Sequence, residues 1–432
     1  MSTPQDFIDI EAPTTLLGGL SPRQFMRRHW QKKPLLIRQA VPGVQSPISR
    51  ADMFALATKD DVESRLIVRH MVAAAAAGVL AGKGKKAAKA EQAVKADKSP
   101  KANKAAKAVA KASTQATVAE PAWSLRHGPL DDVKALPPLK QPGWTLLVQG
   151  LDLHVPAARA LLERFRFVPD ARVDDLMISY ATAGGGVGPH FDSYDVFLLQ
   201  VHGTRRWRIG ELRDERLEPD VPLKILSHFE AQEEYVLEPG DMLYLPPRWA
   251  HDGVAEGEDC MTCSIGFRTP GEHELVRDIL VRLADGEDLE GMGKLYRDPA
   301  QTATGQPGAL PEALVDFASA AVTRVLNDPH ALRSVLGEWL SEPKSHVWFE
   351  AGEPLPGRVP VVLDAKTRLV YDERCVYANG ESWRIGGKDA RQLRQLADHR
   401  RLDAKAMKGI SDGLLELLTQ WAEDGWLHVD GA

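Results

Sequence analysis

The sequence predicts an α+β chain: an antiparallel β-barrel or sandwich comes first, a helical segment follows, and a smaller strand–helix mixture closes it. Three observations carry that expectation. Between Gly143 and Phe267 the apolar residues fall in short runs broken by glycine and proline: WTLLVQ (144–149), LMISYA (176–181), YDVFLLQV (194–201), RRWRIG (205–210), DMLYLP (241–246) and MTCSIGF (261–267). Many short strands with frequent turn signals build barrels and sandwiches. After Pro270 the apolar period becomes helical, in Glu272–Ala284, Pro311–Leu326 and His330–Leu340. From about His346, the strand-like runs PVVLD, TRLVY and SWRIG mix with helical stretches at 390–399 and 414–421, and a strand WLHV follows.

Taken in order, Ser21-Pro22 is an N-cap and first-turn pair that opens a short helix through Arg28, and PLLIRQ (34–39) reads as a strand. Residues 72–119 are almost all alanine and lysine with no aromatic residue, so they cannot offset their own ordering entropy and are expected to be a disordered insertion in a surface loop. Ten lysines in 83–111 against Glu91 and Asp97 give that segment +8, which leaves −14 on the rest of a chain whose net charge is −6. The insertion reads first as a solvated spacer and second as a weak, sequence-independent contact to RNA or another polyanion, while the acidic body favours a basic partner. Val155–Phe165 is a helix set among the strands. The division expected is 1–270 for the barrel, 271–345 for the helical segment and 346–432 for the last module, which resembles a winged helix. That module carries +12 against −14, which favours protein contact over DNA. Three cysteines cannot make a disulfide framework, the N-terminus lacks a signal-peptide pattern, and the longest apolar run, about a dozen residues from Met71, is too short to span a bilayer. A cytoplasmic protein with no membrane association is expected.

The chemistry lies in GGGVGPHFDSYDVFLLQ, where His190 and Asp192 are two apart. On a strand such residues share a face. A histidine nitrogen and a carboxylate on one face, joined by one more histidine, make the facial triad of non-haem Fe(II) oxygenases. The third ligand is expected to be His251, 59 positions on, presented by the turn that ends DMLYLPPRWAH. The spacing leaves room for the intervening strands of a double-stranded β-helix. Such an iron site needs a two-electron donor to accompany O2, usually 2-oxoglutarate, whose distal carboxylate calls for a cation. Arg205 in GTRRWRIG is the candidate, with Arg206 and Arg208 facing the other way by alternation, and Ser179 in LMISY offers a hydroxyl. Tyr194 shares the alternation face of the triad strand and is expected to line the site. Asp195 flanks that strand, and either residue would suit a substrate guanidinium, with Tyr194 preferred and a structural role the alternative for Asp195.

The runs LLGGLSPRQFMRRHWQKKPLLIR, DDLMISYATAGGGVGPHFDSYDVFLLQVHGTRRWRIG and PGDMLYLPPRWAHDGVA resemble the bacterial JmjC/cupin ribosomal oxygenases. They look like the protein-arginine 3-hydroxylases that act on the sixteenth protein of the large ribosomal subunit. The resemblance implies a JmjC/cupin jelly-roll catalytic domain, a helical dimerisation segment giving a homodimer, and a winged-helix-like C-terminal domain. By motif position it implies Fe(II) on His190, Asp192 and His251, 2-oxoglutarate on Arg205 and Ser179, and a basic large-subunit protein as substrate. The products would be a hydroxylated arginine, succinate and CO2. The Ala/Lys insertion departs from the family pattern.

Rival features are weaker. His428-Val429-Asp430 repeats the H-x-D pattern on a late strand and reads as structural. Cys260 and Cys263 are three apart, so on a strand they face opposite ways and suit neither zinc nor a disulfide. A related enzyme hydroxylating or demethylating another protein, and a binding module with a vestigial metal site, are the alternative functions. Hydroxylation would add one oxygen to the substrate, whereas demethylation would release formaldehyde.

Overall fold

Two long, bent strands set the architecture. The computed structural model describes residues 8–70, 123–285, 294–299, 302–303, 306, 308–344 and 346–431, so the insertion expected at 72–119 lies outside the described residues. The first strands are β1 (Leu35–Ile37), β2 (Ser64–Arg69), β3 (Trp123–His127), β4 (Trp144–Val148) and β5 (Val173–Ala181). They are followed by β6 (His190–Phe191), β7 (Asp195–Glu211), β8 (Glu233–Leu237), β9 (Met242–Leu245) and β10 (Trp249–Phe267). The hydrogen-bonded order is β1-β9-β7-β10-β5-β4-β2-β3, with β8 added to β7 and β6 to β10.

Sequence periodicity divides 194–210 into two strands, but the structure runs them together as β7. Its first half pairs with β9 and its second with β8. In the same way β10 pairs with β6 near its start and with β5 near its end. Both strands therefore pass from one sheet of the barrel to the other, which doubles the network over into the expected double-stranded β-helix. The corner is at Gly203, in the left-handed region at φ +64°, where a Cβ would lie 1.9 Å from the Asp259 carbonyl oxygen. Only glycine fits there. On β10 the register slips between Glu256 and Met261, at the same level.

Alternation along the bent strands makes two cores. Val196, Leu198, Trp207, Ile209, Leu237, Leu243 and Leu245 cluster inside the barrel. Phe197, Leu199 and Tyr244 point outwards, yet are equally buried, because the N-terminal helix α1 (Pro22–Arg28) covers them. Phe25 of α1 sits 4.9 Å from Tyr244 and 5.4 Å from Phe197, ring centre to ring centre. Burial on both faces explains why YDVFLLQV shows no polar alternation. A capping box between Ser21 and Gln24 starts α1 where the Ser-Pro signal placed it. Two further helices, α2 (Arg50–Leu56) and α3 (Pro156–Glu163), complete this region.

Beyond β10 come helices α4 (Glu272–Asp285), α5 (Glu312–Leu326) and α6 (Pro329–Ser341). The C-terminal module has two three-stranded antiparallel sheets and the helices α7 (Asp389–His399), α8 (Ala404–Lys408) and α9 (Asp412–Glu423) around a core of their own. Half-buried charges join it, and the segment that leads into it, to the barrel. Arg166 pairs with Asp170 and donates to the carbonyl oxygens of Ala397 and Asp398, at the C-terminal end of α7. Lys344 reaches Asp175 at 2.7 Å and Asp174 at 3.2 Å. Among the described residues no helix is long and apolar enough to cross a membrane.

Arg166→Ala would strip the last turn of α7 of its cation and leave Asp170 unpaired. Hydrogen bonds to a charged group are worth about 1.5–3 kcal/mol, so denaturant unfolding should show a loss on that scale. An unchanged midpoint would mean that the contact contributes nothing to holding the module in place.

Candidate metal centre and cosubstrate pocket

His190 and His251 are direct cross-strand partners in the β6–β10 pair, with ring centres 4.2 Å apart. The loop before His190 presses close to β10: a Cβ on Gly186 would lie 2.4 Å from the Gly253 carbonyl oxygen. The strand carrying His190 stops at Phe191, so Asp192 does not reach the site by strand alternation as the sequence pattern implied. The backbone bends there, held by the Arg248 N–H donating to the Asp192 carbonyl oxygen at 2.9 Å. The Asp192 carboxylate then lies 3.6 Å from His251 Nε2.

Ligand atoms of His190, Asp192 and His251 all fall within 4.8 Å of one another, the one such group among the described residues. His190 Nδ1 is 2.9 Å from the Gly188 carbonyl oxygen, and His251 Nδ1 is 3.0 Å from that of Trp249. A carbonyl only accepts, so each Nδ1 carries the proton and each Nε2 keeps a free lone pair. Burial, and then the neighbouring His190, push the His251 imidazole down to about 4, so it is neutral and ready to ligate at neutral pH. The second H-x-D is used differently: His428 bonds Asp364 at 2.8 Å, and Asp430 lies 3.7 Å from Arg401.

Arg205, Trp207 and Ile209 share the inner face of β7, opposite Ala255, Gly253 and His251 of β10. Arg205 is 4% exposed, and its Nε and Nη2 have no hydrogen-bond partner in the described structure. A buried guanidinium without a counter-charge is costly, and its fork of donors fits a carboxylate. Trp207 neighbours both this cation and the ligand cluster, 5.6 Å from the Arg205 guanidinium carbon and 5.8 Å from the His251 ring. Gly253 makes room for the indole, since a Cβ there would meet it at 2.5 Å. Arg206 and Arg208 do face outwards, paired with Glu234, Glu256 and Asp252.

Ser179 of β5 is buried and sits opposite Thr262 of β10, itself opposite Gln200 of β7. Direct cross-strand partners share a face, which puts all three inside the barrel. Sequence reasoning missed Gln200 and Thr262. Thr262 Oγ1 donates to Gln200 Oε1 at 2.9 Å, and Gln200 Nε2 donates to the carbonyl oxygens of His202 and Gly203 at the corner. A glutamine ending the apolar run YDVFLLQ was the available signal. Cys260 lies inside with Ala181 and Ala255, whereas Cys263 belongs to the outer core, as their spacing implied.

Tyr194 stands at the edge of the cluster with 38% of its surface exposed, its phenol raised by burial of the hydroxyl end and by the adjacent Asp192 carboxylate. Asp195 requires a correction. It has no exposed surface, and its carboxylate accepts from Tyr244 at 2.6 Å, from Gln31 at 3.1 Å and from Arg172 at 3.4 Å. Those bonds tie β7 to β9 and to the turn after α1, so Asp195 is structural and out of reach of a substrate.

A model of the JmjC domain matches residues 160–275, and one of the ROXA-like winged helix matches 324–428. The ribosomal protein uL16 3-hydroxylase of Escherichia coli K12 is 31% identical over 373 residues, covering 83% of this chain and 84% of that protein. The chain belongs to the ribosomal oxygenase family. A probable ribosomal oxygenase of Haemophilus influenzae is 27% identical over 465 residues, covering 95% of this chain and 96% of its own. Among solved structures, Escherichia coli ycfD superposes with a TM-score of 0.73 at 28% identity, over 94% of this chain and 98% of that one. The ribosomal oxygenase YcfD in complex with cobalt and 2-oxoglutarate gives 0.71 at 28% identity, over 95% and 99%. This family member thus shares its fold with a relative that holds a metal and 2-oxoglutarate together.

Gly253→Ala would drive a methyl group into the Trp207 ring. Overpacking of this kind costs about 1–3 kcal/mol. The variant should unfold at lower denaturant and bind 2-oxoglutarate more weakly by calorimetry. Unaltered binding would show that the pocket does not depend on where the indole lies.

Proposed function

We propose that this chain is an Fe(II)- and 2-oxoglutarate-dependent dioxygenase that hydroxylates an arginine side chain at C-3 in uL16, the sixteenth protein of the large ribosomal subunit. The observation that carries the reading is a two-histidine, one-carboxylate cluster inside a barrel that also buries an unpaired arginine. His190, Asp192 and His251 would hold the iron as neutral imidazoles and a carboxylate, the donor set of non-haem Fe(II) oxygenases. With iron and 2-oxoglutarate bound, O2 is split: one oxygen atom enters a C–H bond of the substrate and the other the succinate formed as CO2 leaves.

The protein's own part is placement. Arg205 would clamp the distal carboxylate of 2-oxoglutarate, with the Ser179 hydroxyl inside the same barrel as a further donor. Trp207, on the same inner face as Arg205, would form one wall of the pocket in which 2-oxoglutarate spans from that clamp to the ligand cluster. Gly188 and Trp249 fix the two imidazoles through their carbonyl oxygens. Tyr194 is exposed beside Asp192 and lines the approach for the substrate arginine. The −14 carried outside the 83–111 segment suits a basic ribosomal protein, and such a substrate would place the enzyme in the cytoplasm. Within the organisation 1–270, 271–345 and 346–432, the helical segment would form a homodimer. No side chain of α5 is buried, and Phe317, Val322 and Leu326 of α5 and Val276 and Val281 of α4 are exposed.

Incubation of purified uL16 with the enzyme, iron, 2-oxoglutarate and O2 should add one oxygen to a single arginine, located by tandem mass spectrometry. Asp192→Ala should abolish both the added mass and metal binding. Arg205→Ala should weaken 2-oxoglutarate binding roughly a hundredfold, the scale of about 3 kcal/mol for a buried charge pair. Unmodified uL16 would remove the substrate assignment, and loss of a methyl group instead would replace hydroxylation by demethylation. Phe317→Asp should convert the dimer to a monomer by light scattering, and an unchanged mass would refute the helical interface.

A further inference from the structure

The connection between β7 and β8, residues 212–232, is bonded to both turns that carry the ligand cluster. The Leu226 N–H donates at 2.8 Å to the carbonyl oxygen of Pro189, one residue before His190. The Leu212 N–H donates at 3.3 Å to the carbonyl oxygen of Arg248, whose own N–H holds Asp192. Within the connection, Glu218 N–H donates to the Ile225 carbonyl oxygen and Ser227 N–H to that of Arg216, so that 216–227 doubles back as a lip with Leu217 opposite Leu226.

Arg248 is the unusual residue here. It lies in the left-handed region at φ +66°, which glycine adopts freely and other residues adopt at a cost. An arginine accepts that strain, and its guanidinium reaches the lip at Glu215, 2.5 Å away. Both partners are more than half exposed, so the pair adds little to global stability. Its local consequence is larger, because it joins the lip to the turn that carries Asp192. It also masks a positive charge that would repel a basic substrate at this edge. The connection carries Asp214, Glu215, Glu218, Asp220 and Glu230 against Arg213, Arg216 and Lys224, and Glu218 and Asp220 are exposed.

We propose that Arg248 is a positioning residue that, through Glu215, fixes the acidic lip 212–232 as the edge on which the basic substrate segment is aligned for hydroxylation. This rests on the protein-hydroxylase reading above. The test uses the full-length enzyme with Arg248→Gly, Glu215→Gln, and the double exchange Arg248→Glu with Glu215→Arg. Hydrogen–deuterium exchange of the 212–232 amides is measured alongside KM and kcat for uL16. Arg248→Gly relieves the backbone strain, so folding survives, and Glu215→Gln, which leaves that backbone unchanged, reads the loss of the ion pair alone. Each single change should speed exchange at Leu226 and Ser227 and raise KM about three- to fivefold, with KM moving more than kcat, and the charge exchange should restore both. Unchanged lip exchange in the single variants would overturn the inference. So would a double exchange that restores protection but leaves KM raised, because Glu215 would then be touching the substrate itself. If wild-type enzyme fails to hydroxylate uL16, the functional reading fails while the exchange pattern still decides the strut.

Discussion

The constraint on which the rest of the molecule depends is that β7 and β10 change sheets together. Each strand belongs to one sheet for half its length and to the other for the remainder, so the two must bend at the same level. Gly203 allows this on β7, and the register slip between Glu256 and Met261 allows it on β10. The first half of β10 then carries His251 to β6 and His190, while its second half carries Thr262 to β5 and Ser179. One fold in a strand pair thus sets how the ligand cluster and the buried polar layer lie relative to each other. The Gln200 side chain, bonded to the carbonyl oxygens on either side of the bend, stiffens that corner from within.

Inside the barrel, polar groups are sorted by whether the protein satisfies them. Gln200 and Thr262 answer each other, and Asp195 is fully bonded on the outer side. Arg205 is left with bare donors in the interior. A protein tolerates an uncompensated buried charge where something other than its own chain supplies the partner. The same economy applies to the histidines, whose Nδ1 atoms are occupied by carbonyl oxygens so that the other nitrogens stay available.

Much of this was legible in the sequence, and the failures have identifiable causes. Strand positions came through because short apolar runs ended at glycine and proline, and the helices of 272–341 because their period was clean. Arg205 was separable from Arg206 and Arg208 because alternation on a strand is strict. The continuity of β7 was hidden, because a glycine between two strand-like runs looks the same whether the chain turns back or bends and continues. Asp192 lies within reach of both histidines, but alternation alone does not describe how, since the strand ends one residue earlier and the backbone bends there. Asp195 was left open between substrate contact and a structural role, because sequence shows which residues neighbour along the chain but not that Gln31, Arg172 and Tyr244 converge on it in space. Gln200 and Thr262 escaped because a polar residue closing an apolar run gives no hint that its partner lies 62 positions away.

The hairpin of β2 and β3 has a further meaning. Arg69 and Trp123 are register partners at the end where β2 leaves and β3 returns, so the length of chain joining the two strands does not enter their pairing. Closing a longer loop costs only about 0.6 kcal/mol for each doubling of its length, so the barrel is nearly indifferent to how much chain enters there. Trp123 is not remote from the chemistry, since a Cβ on Gly188 would lie 3.3 Å from its ring, two residues before His190. The strand end from which any added length leaves is thus anchored, through Trp123, against the loop that presents His190, and the fold of that loop is set by the described strands alone.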